Sequence, residues 1–173
     1  RYADSLGWLD PTVWGGQDWA ERAAALAQKL HSFADTFVVI GVGGSNNAAR
    51  TVAEALDLPG GMKIVWAGNT LSPHAMNRML ARLEGRSVVI DCIAKNFETL
   101  EPGASFRVLR RYLCDRYGRE EAARRILCTG TPGSPLEKLC AEQGYTFLPF
   151  PEPIGGRFTA LSPVHLVPMA AAG

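Results

Sequence analysis

The sequence predicts an α/β fold: a three-layer α/β/α sandwich around a five-stranded, mainly parallel sheet. Three observations predict it. Phe37–Ile40 is an unbroken apolar run with no polar alternation, the pattern of a strand covered on both faces. Four further short strand-like runs follow, at Met62–Ala67, Ser87–Ile93, Ile126–Cys128 and Tyr145–Leu148, and stretches of helical period separate them. Ser72-Pro73 and Ser134-Pro135 each place a capping serine before a proline suited to the first helical position.

Taken in order, residues 1–16 carry Trp8, Pro11, Trp14 and paired glycines and read as an extended lead-in; residues 17–173 form the domain. Asp18 is the expected cap of a helix through Leu30, with Trp19, Ala23, Leu26, Ala27 and Leu30 on its apolar stripe. A helix over Asn47–Leu56 follows the first strand. Another opens at Ser72-Pro73, with Met76, Met79, Leu80 and Leu83 inward. Pro102 starts a helix to about Tyr117 that buries Phe106, Leu109 and Leu113. Glu120–Arg124 is a short helical piece, Ser134-Pro135 begins a helix to Gln143, and Leu161–Ala172 is a final apolar helix.

Composition excludes several functions. The 173 residues carry a net charge of +1, which gives no electrostatic case for nucleic acid or an anionic membrane. Seven arginines between Arg107 and Arg125 are interleaved with Asp115, Glu120 and Glu121 and read as a solvated helix face. No apolar run is long enough to span a membrane. Cys92, Cys114, Cys128 and Cys140 lie far apart without a Cys-x-x-Cys pair, which opposes a zinc site and a disulfide framework. Cys92 and Cys128 are expected as buried free thiols, and the cytoplasm as the compartment. No metal or other cofactor is expected. The start at Arg1 and the end on Ala-Ala-Ala-Gly read as a piece of a longer protein.

Ligands of open α/β sheets bind beyond the carboxyl ends of the strands, and three loops there carry chemistry. In the first, Gly41, Gly43, Gly44 and Ser45 lie between a buried strand and a helix start, where bare backbone N–H groups suit an anion. The dinucleotide fingerprint fails: its third glycine falls on Asn46, and the next strand ends Trp66-Ala67-Gly68-Asn69 without the acid that would hold a ribose. A P-loop fails because no Gly-Lys-Ser/Thr follows. In the second loop, Ala94-Lys95-Asn96-Phe97-Glu98-Thr99, Lys95 offers charge and Asn96 and Thr99 offer hydrogen bonds. Taken alone, that loop is better explained by helix capping and a solvated lysine. The third is Gly155-Gly156-Arg157, where glycines admit a ligand and a guanidinium faces developing negative charge, or where an arginine simply follows a surface turn.

Together these loops, with Gly68-Asn69-Thr70, Pro73–Leu80, Glu101-Pro102, Phe106-Arg107-Val108, Phe158 and Leu161-Ser162-Pro163, resemble the glucose-6-phosphate isomerase family over essentially the whole chain. The resemblance is to the family's first sugar isomerase (SIS) domain, a flavodoxin-like sandwich. It implies interconversion of glucose 6-phosphate and fructose 6-phosphate through a cis-enediolate. Gly44 and Ser45 then match the first sugar-phosphate loop, and Ala94, Lys95, Asn96, Phe97, Glu98 and Thr99 the second. Arg157 matches the arginine that stabilises the enediolate, with Gly156 beside it. The family's shared active sites imply a homodimer of the full-length protein.

Three departures stand out. Ala94 lacks a hydroxyl usual at its position, a loss of ~1–3 kcal/mol in phosphate binding if nothing replaces it. Asn96 replaces a hydroxyl residue but still donates. Glu98, in place of a threonine, sets a carboxylate near a dianion unless it turns outward. The family's glutamate base and its ring-opening histidine and lysine have no counterpart here. His31, His74 and His165 are read as structural or surface residues, so the chain alone is expected to be inactive. A non-catalytic sugar-phosphate-binding SIS module is the alternative reading.

Overall fold

In a computed structural model of the chain, described for residues 6–57, 59–95 and 97–173, five strands alternate with seven helices. They run α1 (Gln17–His31), β1 (Thr36–Ile40), α2 (Asn47–Leu56), β2 (Lys63–Ala67), α3 (Pro73–Leu83), β3 (Val88–Ala94), α4 (Leu100–Tyr117), α5 (Arg119–Arg124), β4 (Ile126–Gly130), α6 (Pro135–Gln143), β5 (Thr146–Pro149) and α7 (Pro163–Ala172). The strand order is β2-β1-β3-β4-β5 and all four pairings are parallel, as in flavodoxin-like folds. Ile40 pairs with Ala67 on one side and with Cys92 on the other.

Strand periodicity sends alternate residues to opposite faces and builds two cores. Val38, Ile40, Ile90 and Cys92 pack under Leu83 of α3, Phe106, Leu109 and Leu113 of α4, and Leu136 of α6. Phe37, Val39, Val89, Ile93 and Leu127 pack under Ala23, Ala27 and Leu30 of α1 and Val164 and Val167 of α7. β1, β3 and β4 are buried throughout, which explains their mostly apolar sequences, with Asp91 and Thr129 as buried polar exceptions in β3 and β4. Ser72 and Ser134 cap α3 and α6 through the amides of Ala75 and Glu137. Cys92 and Cys128 are buried free thiols, as the sequence predicts. No helix among the described residues is long and apolar enough to cross a membrane.

Three expectations need correction. Asp18 does not cap α1: Gly16, at φ 92°, holds the cap position, and Asp18 sits in the first turn, where its charge suits the helix dipole. The part of the lead-in that is described is not extended. Gly7–Leu9 and Pro11–Val13 form 3-10 turns, and Trp14 is buried with its indole N–H donating to the Gly7 carbonyl at 2.8 Å. Residues 1–5 lie outside the described residues. Arg125 is not solvated: it is buried, donates to Glu121, Ser87 and Val88, and lies 4.2 Å from the centre of the Tyr117 ring.

Candidate functional site

The chain steps outward from β1 to β2 and returns to β3 on the other side of β1, so a crevice opens at the carboxyl ends of β1 and β3. The two loops flanking it are those the sequence singles out. After β1, Gly43–Ser45 makes a 3-10 turn that leads into α2. Gly43 has φ 57°, a conformation that costs other residues strain. Asn46 is buried and donates from its side chain to the Gly41 carbonyl at 2.9 Å, which locks the turn from inside. The Asn46 side chain therefore gives α2 no cap. Among the described residues, the amides of Asn47 and Ala48 donate to no protein acceptor. They are the first helical N–H groups, the ones that anions seek.

The third loop meets the first. Gly44 packs against the peptide between Gly156 and Arg157: a Cβ placed on Gly44 would meet the Gly156 carbonyl and lie 2.8 Å from the Arg157 nitrogen. Gly156–Phe158 is itself a 3-10 turn, with Arg157 exposed beside the glycine loop. The lead-in pins this segment. Leu6 bridges Ile154, the Gly7 amide donates to Pro153, and Trp8 stacks on Phe158 at 5.1 Å.

The second loop meets the third through Lys95. Its ammonium donates to the Ile154 carbonyl at 2.8 Å and the Glu152 carbonyl at 3.1 Å, and lies over the Phe150 ring. Lys95 is thus a strap between loops, with one N–H left over for a ligand. Thr131 holds the Lys95 carbonyl from the end of β4 at 2.7 Å. Ala94 ends β3 and is buried. Phe97 takes a left-handed conformation, φ 52°, and packs edge-on against Phe106. Glu98 is exposed, so its carboxylate has solvent available to it. Thr99 holds the cap position of α4 but makes no side-chain capping bond, so capping does not account for its hydroxyl. Asn96, the remaining member of this loop, lies outside the described residues.

Two residues at or near the site carried no legible signal. His165 of α7 is buried, accepts from the Ala49 amide through Nδ1 at 3.2 Å, and meets the Gly44 carbonyl through Nε2 at 2.8 Å. Burial holds its pKa below the usual histidine value, against the pull of the Gly44 carbonyl. Asp91 lies fully buried in the middle of β3, two residues before the buried Ile93, with Thr129 Oγ1 3.0 and 3.1 Å from its two oxygens. Burial pushes its pKa up to about 7, although the Thr129 bond pulls the other way. His31 and His74 are exposed on α1 and α3.

Two sizeable grooves lie elsewhere. One of about 750 Å³ runs beside α4 between Arg107, Arg110, Arg119 and Tyr145; another of about 490 Å³ follows the open edge of β2. At the three loops, Glu98, Thr99 and Arg157 are exposed and form the rim of the candidate site, a ledge at the strand ends. Among the described residues, no group of three or more His, Cys, Asp and Glu side chains is placed to hold a metal.

The strand order and the three converging loops define an α/β domain with a candidate ligand site at the switch point of a parallel sheet. The sequence model for phosphoglucose isomerase matches residues 21–173. Glucose-6-phosphate isomerase of Alkaliphilus metalliredigens is 35% identical over 179 residues, covering 97% of this chain and 40% of the relative. That of Symbiobacterium thermophilum is 38% identical over 182 residues, covering 99% and 41%. Among solved structures, a hypothetical protein from Thermus thermophilus superposes over 98% of this chain and 40% of its own, with TM-score 0.84 and 28% identity. A glucose-6-phosphate isomerase from Chlamydia trachomatis matches 88% of this chain and 29% of its own at TM-score 0.75; at 23% identity that likeness speaks for the fold alone. The chain belongs to the phosphoglucose isomerase family. It spans about 40% of the length of the curated relatives it matches.

Proposed function

We propose that residues 17–173 are the first SIS domain of a glucose-6-phosphate isomerase, supplying the phosphate cradle and one charged group to a composite active site. The observation that carries this reading is the junction of Gly44 with the Gly156–Arg157 peptide, which sets the backbone of the exposed Arg157 beside a glycine turn at a helix N-terminus. On this reading the phosphate of a hexose 6-phosphate sits against Gly44, Ser45 and the open amides of α2. The second loop contributes the remaining Lys95 proton and the Thr99 hydroxyl. Arg157 then faces the reacting carbons, where proton transfer between C1 and C2 develops enediolate charge. Gly156 has nothing within 4 Å of where a Cβ would stand, leaving room for substrate or water there.

Such a cradle needs a proton carrier from elsewhere. His31 and His74 are exposed on helices, and both ring nitrogens of His165 are engaged. A base outside this chain completes the chemistry, and a homodimer of the full-length protein is the assembly we expect. Calorimetric titration of fructose 6-phosphate onto the chain tests the cradle. We expect saturable binding that Ser45→Ala weakens about 10-fold, as for the loss of a hydrogen bond to a charged group. Absence of binding at millimolar ligand, with the chain folded, removes the proposal.

A further inference from the structure

We propose that His165 is the positioning residue of the glycine loop: its imidazole latches the Gly44 carbonyl to the first turn of α2 and so sets the surface offered to the phosphate. This inference rests on the reading of that loop as a phosphate site, and it concerns a side chain 121 residues away in sequence from Gly44.

The chemistry of the two contacts defines the ring. Ala49 presents a backbone N–H, so Nδ1 must accept; the ring proton therefore sits on Nε2 and is donated to the Gly44 carbonyl. Ala49 is the third residue of α2 and carries one of the amides that a helix start leaves without an internal partner. An N-cap side chain ordinarily meets this need. Here Asn46 holds the cap position but spends its side chain on the Gly41 carbonyl, and α2 has no side-chain cap of its own. His165 takes over that role from another helix and, with its other nitrogen, reaches back across the turn.

The consequence is directional. With the Gly44 carbonyl drawn toward α7, carbonyl oxygen is kept off the ledge where an anion would sit. Because His165 takes the Ala49 amide, the Asn47 and Ala48 amides remain the open donors at the helix start. The same residue abuts the Gly156–Arg157 peptide, so the latch also sets the distance between the glycine loop and the backbone that carries Arg157. His165 is 1% exposed, so its ring has no solvent to swing into and stays between its two partners. His165 touches neither the ledge nor, on this placement, the ligand; it acts through Gly44.

Two variants separate this role from mere packing. His165→Leu fills the space without either bond. The amide of His165→Gln accepts from Ala49 through oxygen and donates to Gly44 through nitrogen. Amide hydrogen exchange of the glycine turn and fructose 6-phosphate affinity are measured for both, beside the wild-type chain. The latch predicts that Leu speeds exchange at Ser45 and Asn46 and weakens binding, each by about 10-fold, the scale of one buried hydrogen bond; Gln restores both. Unchanged exchange and affinity in a folded Leu variant overturns it, as does a folded Gln variant that behaves like Leu. Should Leu fail to fold, the wild-type ring decides: ring ¹⁵N shifts must show the proton on Nε2, and a proton on Nδ1 overturns the assignment. Failure of the wild-type chain to bind fructose 6-phosphate removes the phosphate reading alone, and the exchange measurement still judges the latch.

Discussion

Gly44 and Gly156 lie in direct backbone contact, leaving no room for a side chain on Gly44 between the turn after β1 and the carbonyl that precedes Arg157. This contact carries the strongest sequence constraint in the candidate site, and it is steric: Gly44 is not among the residues with positive φ, so any side chain is excluded by space alone. Gly44→Ala should therefore push the two loops apart. We expect a loss of ~1–3 kcal/mol in stability, the usual cost of overpacking, read by chemical denaturation, together with loss of measurable hexose 6-phosphate binding.

Arg157 gives the opposite signature. It is exposed, and among the described residues its guanidinium has no hydrogen-bond partner, so Arg157→Ala should change stability by no more than ~0.5 kcal/mol. If the residue serves developing charge, a planar, anionic hydroxamate analogue of the enediolate should lose far more affinity than fructose 6-phosphate, about 10- to 100-fold against a few-fold. Paired titrations of the two ligands measure that difference. Equal losses would assign Arg157 to ground-state binding.

Lys95 should behave as a structural residue as well as a binding one. Lys95→Met keeps the apolar stem over Phe150 and removes both bonds to the Glu152 and Ile154 carbonyls. Hydrogen bonds from charged donors contribute about 1.5–3 kcal/mol each at most, and solvent around the outer one reduces that. A drop of roughly 1–3 kcal/mol in unfolding free energy is expected, with faster amide exchange confined to residues 152–158.

Two buried groups tilt stability with pH in opposite directions. Asp91 is raised from 3.8 to about 7 in the folded chain, so between those values the folded state holds a proton that the unfolded state has released. Its contribution is complete below pH 4 and is lost as pH rises through 7, with a span of up to ~4 kcal/mol. Asp91→Asn keeps an acceptor for Thr129, and its unfolding free energy should overtake that of wild type as pH approaches 8. His165 lies below its ordinary value, so its contribution is present above pH 6.5 and fades as pH falls through the folded value. Urea denaturation of wild type and Asp91→Asn from pH 5 to 8 isolates the Asp91 component. Parallel curves would contradict it.

Much of the architecture was legible because local signals and tertiary packing agree. The TFVVI strand, the Ser-Pro helix starts and the Asn47–Leu56 helix stand where the periodicity puts them. Boundaries moved where propensity alone decided: α4 begins at Leu100 rather than Pro102, and Gly16 displaced Asp18 as a cap because its positive φ turns the chain into α1. The glycines and Arg157 announced themselves through their backbone and charge. Their partners did not. His165 sits in an apolar helix and reads as core until the fold brings Gly44 to it. Lys95 reads as a ligand lysine until the carbonyls of Glu152 and Ile154 appear beside it. Asp91 reads as a polar break in a strand, since a buried carboxyl cannot be told from an exposed one before β4 supplies Thr129. Contacts of this range are set by topology, which no local window contains.

The most direct test of the sugar-phosphate cradle is an amide chemical-shift map of the ¹⁵N-labelled chain during fructose 6-phosphate titration. The account predicts saturable shifts concentrated at Gly43–Asn47, Phe97–Thr99 and Gly155–Phe158. Shifts gathered instead around Arg107, Arg110 and Tyr145, or none at millimolar ligand, would contradict it.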